Sequence, residues 1–213
     1  MRRGLLLVGV LLIGGQVRAE EHPADDPARF RLGVNVALVG VPRLVNLEAY
    51  ARVHPYLAVT LGWSTCPGFA SNIVLKWAGA QSDTTEATLN GFSAWELALR
   101  VFPLRGVFFF GLGFGWQVVD GQFTEKPSGT SGTAFSHVEA WVLTPRIGLQ
   151  WVWRSGFAVG VDGGIQFPLS HASRLTLEPD VSSSAEVGAQ NLIHFGASLP
   201  LPSFNVRVGY HFG

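Results

Sequence analysis

The sequence contains one cysteine, Cys66, so no internal disulfide can form. It also lacks a long apolar segment. The run Gly4 to Gly15 is about a dozen residues, short of the roughly 20 that a spanning helix needs, and no later stretch reaches 18 uninterrupted apolar residues. A transmembrane helix is therefore excluded. Charge is scarce too: 14% of residues are charged, against roughly 25% in ordinary soluble domains. The glycines Gly111, Gly113 and Gly115 recur at strand period, so they form no phosphate-binding loop. His137, His171 and His194 have no metal-ligand spacing, so neither a metal nor a cofactor is expected.

Several features stand against these absences. The start reads Met1-Arg2-Arg3, the apolar run follows, and Gln16-Val17-Arg18-Ala19 offers a cleavage site after Ala19. This layout is that of a secretory signal peptide over 1–19. No Cys follows the cut, so no lipid anchor is expected. Residues 20–29 are acidic and contain proline, and read as a disordered leader. Residues 30–213 fit one domain. Removing Arg2, Arg3 and Arg18 leaves 12 basic residues against 15 acidic ones, a net −3 that excludes a nucleic-acid partner. With 47% hydrophobic residues, 26 Gly and 7 Trp, the chain carries more apolar surface than a soluble exported domain can hide.

The apolar residues alternate with period two in eight segments, each long enough to cross a bilayer as a tilted strand of roughly 9–11 residues. The segments run Phe30 to Gly40, Leu44 to Val53, Tyr56 to Ser64, Phe92 to Pro103, Val107 to Gln117, His137 to Trp153, Phe157 to Leu169 and Phe204 to Phe212. In each, the charged residue lies opposite the bulky apolar ones. Large apolar side chains suit lipid, and glycine, alanine and a few charges suit a narrow lumen. The joins at Arg52–Tyr56, Leu104–Val107 and Arg154–Gly156 are tight, whereas Thr65–Gly91, Val118–Ser136 and Ser170–Ser203 are long. Only the Val41–Arg43 join breaks this alternation of short turns and long loops. Trp63, Trp95, Trp116 and Trp141 fall at the long-loop ends, and Trp151, Trp153 and Phe212 at the short-turn ends, as two interfacial girdles require. The expected fold is an all-β, eight-stranded antiparallel transmembrane barrel. Pro145 should mark a bulge. Short helices are expected over Pro67 to Ala80, and over Ser184 to Leu199 with Leu192, Phe195 and Leu199 on one face; either would lie on the membrane or cap the barrel.

The signal peptide, together with the terminal strand Phe204 to Phe212, resembles the small eight-stranded outer-membrane barrels of the OmpA/OmpX-like superfamily over essentially the whole mature chain. Members usually end on the aromatic residue, whereas Gly213 follows here. The resemblance implies a bacterial outer-membrane location, contact with lipid and lipopolysaccharide, and insertion by the barrel-assembly machinery.

The inward phase collects Asn35, Glu48, Arg52, Glu96, Arg100, Arg146, Asp162 and Arg207, with Arg31 near one end. Charges in so narrow a space must pair, because an unpaired buried charge is very costly. The leading expectation is a non-enzymatic structural or surface-interaction protein acting through its long loops, with the loop partner unidentified. A narrow channel for small solutes is one alternative. The other comes from His171 and Ser173, which would meet Glu139 at the outer surface if the outward phase continued past Leu169. An activated serine of that form resembles the outer-membrane lipid A deacylases of the PagL type. Arg174 follows Ser173 where that family usually has Asn, and its Glu comes later in the chain, toward Glu178.

Overall fold

The computed structural model describes residues 31–41, 45–66, 71–72, 75–76, 78–125 and 132–213. The expected signal peptide and leader lie outside these residues, as do most of the Val41–Arg43 join and part of the expected helix over Pro67 to Ala80, of which 71–72 and 75–76 are helical. Eight strands follow in order: β1 Arg31–Val41, β2 Val45–His54, β3 Leu57–Thr65, β4 Thr85–Val101, β5 Phe108–Glu125, β6 Ala134–Val152, β7 Phe157–Leu177 and β8 Leu201–Phe212. A helix, Ser183–Ala197, separates β7 from β8. Each strand is antiparallel to its neighbours, and β1 pairs β8 to close the barrel.

The outer face is apolar in one band. Leu32, Val34, Leu61, Leu97, Leu99, Leu112, Phe114, Ile147, Ile165 and Phe204 are all exposed. The register Trp63↔Trp95↔Trp116↔Trp141 lines up four tryptophans in one row across β3 to β6. At the opposite end Trp153 stacks on Phe157 at 5.4 Å between centroids, and Tyr210 lies 5.1 Å from Phe212. Trp151 lies ten residue steps beyond Trp141 in β6. At about 3.4 Å per residue and a tilt of roughly 35–45°, that is about 24–28 Å of height, the thickness of a lipid-facing band.

Above the tryptophan row the pattern inverts. β4 to β7 run on to Thr85, Glu125, Ala134 and Leu177, through stretches that the sequence reading assigned to loops. There the inward residues are apolar (Ala87, Val119, Phe123, Ala134 and Val138 are buried), and Glu86, Asp120, His137 and Glu139 occupy alternate positions. This is the economy of a water-facing sheet. The helix packs on the concave side of this wall through Ala185, Ala189, Leu192 and Ala197, which share one core with Phe92, Val119, Phe123 and Val138. Of the expected helical face only Leu192 is fully buried; Phe195 is half-buried and Leu199 exposed, because small residues rather than bulky ones fit against the wall. The Ser182 hydroxyl caps the helix, accepting from the Ala185 amide at 3.3 Å. The helix therefore closes the barrel from the long-loop side.

Pro145 does not mark a bulge. It faces outward and exposed, opposite Leu112. The ladder to β7 lapses at 144–145, and the register resumes unshifted at Leu143↔Phe167 and Arg146↔Gly164. A missing N–H at a position facing lipid costs one rung without displacing the strand. The bulge of this strand pair sits between Trp141 and Val142.

Candidate functional site

The middle of the barrel holds a chain of six alternating charges: Arg100, Glu48, Arg207, Asp162, Arg146 and Glu96. Arg100 pairs with Glu48, and Arg207 with Asp162. Arg207 lies 3.1 Å from Glu48, Arg146 3.8 Å from Asp162, and Arg146 2.7 Å from Glu96. None of the six side chains is more than 7% exposed. Asn35 donates to Glu48 at 2.8 Å, and Asn205 to Asp162 at 3.2 Å. Three carboxylates and three guanidiniums balance, which is how a narrow lumen tolerates charge at all. The wall makes room for the long side chains. A Cβ at Gly113 would stand 2.7 Å from the Glu96 carboxyl, and one at Gly111 2.8 Å from Arg146 Cγ. The strand-period glycines of β5 are thus packing partners of the charge layer.

Arg52 stands apart from this layer. Its guanidinium donates to the Pro55 carbonyl at 2.6 Å and lies 4.5 Å over the Phe102 ring, toward the short-turn end. The layer also recruits residues that sequence reasoning left out. His211 bonds Asn35 at 3.2 Å and stacks on Tyr50 at 4.3 Å, and Gln150 accepts from Arg100 at 3.3 Å. The phase that His211 shares with Arg207 was the available signal. Phe102 and Phe109 join Tyr50 in an apolar plug below the charges. Above them Gln166 donates to Gln117, which donates in turn to the Gly196 carbonyl of the helix, at 2.9 and 3.2 Å. Among the described residues, the inward side chains are buried from the aromatic plug to the helix.

His171, Ser173 and Glu139 do not form a triad. The bulge between Trp141 and Val142 shifts the phase of β7, so His171 pairs with inward Ala140 and Ser173 with inward Val138. Glu139 pairs with Ala172 instead. Glu178 is committed elsewhere, accepting from the Thr133 amide at 2.9 Å.

The outer face of the protruding wall carries a different cluster. Asp120, His137 and Arg174 form one cross-strand row over β5 to β7. His137 Nδ1 lies 2.6 Å from Asp120, and Nε2 lies 3.2 Å from Glu139. A neutral imidazole donates from only one nitrogen, so two carboxylates favour the protonated ring. The hydrogen bond to Asp120 accordingly raises the His137 pKa above its usual value. The cluster borders a shallow recess of about 310 Å³ with Asn90 and Thr176. Cys66, half-buried beside the helix core, forms no disulfide, and burial raises its thiol pKa. Among the described residues no group of three or more His, Cys, Asp or Glu is placed to hold a metal.

No protein-family model matches the chain, and no curated protein does. Among solved structures it is similar to CarO2 of Acinetobacter baumannii, at 9% identity over 86% of this chain and 100% of that one, with a TM-score of 0.42. It is also similar to CarO of the same organism (12% identity, 84% and 97% covered, TM-score 0.43) and to a major outer membrane protein of Thermus thermophilus (12%, 86% and 98%, 0.46).

Proposed function

We propose that this protein is a non-enzymatic barrel of the bacterial outer membrane that presents its protruding β4–β7 wall as a contact surface outside the cell. The apolar band between two aromatic rows supports the membrane reading. The observation that carries the contact surface is the edge of β7. β8 pairs with β7 only as far as Gln166↔Leu201, whereas β7 continues to Leu177. Residues Leu169 to Arg174 are all exposed, so their backbone offers a row of donors and acceptors to an added strand. A wall held rigid by a helix core suits this role better than a mobile loop, since little ordering is required on contact. The filled lumen argues against a channel, and the divided triad argues against a lipid A hydrolase.

The test starts with refolding residues 20–213 into lipid and checking heat-modifiable gel mobility. Extended peptides are then selected from a random displayed library. The expected peptides bind the folded barrel, protect the amides of residues 169–177 from hydrogen exchange, and lose affinity in Ala172→Pro. Stepwise single-channel conductance, or loss of an acyl chain from lipid A that Ser173→Ala abolishes, would overturn the reading.

A further inference from the structure

Outside the lumen, the acidic side chains among the described residues are confined to the long-loop end, which also holds Lys76 and Arg174. Among the described residues, the short-turn end carries Arg31, Arg52, Arg105 and Arg154, and no acidic side chain. The protruding wall, its loops and the helix carry Asp83, Glu86, Asp120, Glu125, Glu139, Glu178, Asp180 and Glu186. Two of the four arginines are engaged. Arg52 holds the Pro55 carbonyl and lies over Phe102, and Arg105 lies 4.6 Å over the Tyr56 ring. Arg31 and Arg154 have no hydrogen-bond, ion-pair or ring partner among the described residues.

These two arginines line one recess, of about 630 Å³, with Trp153, Tyr210, His211 and Phe212. The local fold brings them there. The Gly156 amide donates to the Trp153 carbonyl at 2.9 Å, and the His211 amide to the Gly156 carbonyl at 2.7 Å, so the turn bearing Arg154 is fastened to the end of β8. Leu32 pairs with Phe212 on the other side of that strand, which sets Arg31 beside the same end. The recess thus joins two cations to exposed aromatic rings of the girdle. Cations beside interfacial aromatics fit an amphipathic anion: phosphate against the guanidiniums, glycerol and upper acyl chain along the rings.

We infer that this recess binds the headgroup of an anionic phospholipid from the leaflet at the short-turn side. The inference rests on the membrane reading above, and the experiment separates the two. The protein is refolded in detergent, its folding is verified by heat-modifiable mobility, and it is mixed with equimolar phosphatidylglycerol and phosphatidylcholine. Retained lipid is read by native mass spectrometry. A folded barrel that keeps phosphatidylglycerol preferentially is the expected result. Arg31→Gln with Arg154→Gln should reduce that preference roughly thirtyfold, the scale for neutralising two interfacial cations, whereas Arg105→Gln should leave it unchanged. A barrel that folds but retains both lipids equally, or whose preference survives the double substitution, overturns the inference. So does binding of glycerol 3-phosphate or inorganic phosphate as tight as that of the lipid, which would assign the recess to a soluble anion. Absence of any heat-modifiable species would sink the membrane reading itself.

Discussion

Replacing Glu48 by Gln tests the charge layer most directly. Glu48 is the shared partner of Arg100 and Arg207 and accepts from Asn35. The substitution preserves shape but leaves two carboxylates, Glu96 and Asp162, against three guanidiniums, Arg100, Arg146 and Arg207. One buried positive charge is then uncompensated. Removing one partner of a buried pair costs about 3–5 kcal/mol, a large share of the stability of a small barrel. The assay is urea unfolding in lipid vesicles followed by tryptophan fluorescence, with the wild-type slope as a control for unchanged compactness. Pairing Glu48→Gln with Arg207→Gln restores the balance of charge. The double variant is expected to recover part of the loss, with a coupling energy of about 1–3 kcal/mol. A loss below about 1 kcal/mol for Glu48→Gln, typical of a solvated surface pair, would refute the reasoning. Strictly additive losses in the double variant would refute it as well.

Three further outcomes follow from the geometry. Gly156 has φ +86°, and a Cβ there would stand 2.5 Å from the His211 carbonyl; Gly156→Ala should therefore cost about 1–3 kcal/mol in the same urea assay. Leu192→Ala hollows the core between helix and wall and should cost about 2–5 kcal/mol. Hydrogen exchange should speed up in residues 85–92, 118–125 and 134–140 and stay slow in the membrane band. The raised pKa of His137 gives a pH dependence of defined sign. Its contribution is fully present below the unfolded-state value of 6.5 and is lost as pH rises through the higher folded value. Amide protection factors in the wall, corrected for intrinsic exchange, should therefore fall above pH 6.5, and His137→Gln should flatten that profile.

The membrane band was legible because lipid imposes a rule on every residue that faces it. Alternation in eight segments, tight and long joins, and tryptophans at strand ends all express one constraint: backbone groups must pair and outward side chains must be apolar. The lumen residues were legible by subtraction, since whatever is not outward is inward. Their pairing was not. That Arg52 leaves the layer for Pro55 and Phe102, and that His211 enters it, depends on where β1 and β8 meet around the barrel.

The wall was lost to the sequence reading for a related reason. Past the tryptophan row the solvent changes from lipid to water, and the pattern that marked a strand inverts. A bulge between Leu89 and Gly91, and another between Trp141 and Val142, also break the phase. The second bulge separates Ser173 and His171 from Glu139. A period-two count cannot see such a slip, because one extra residue moves every later side chain to the other face. Composition and periodicity by themselves determined a closed sheet with an apolar outside and a charged inside. Only the tertiary structure decided which charges meet, which residues the bulges turn around, and that the helix fills the mouth, because each depends on contacts between residues far apart in the chain.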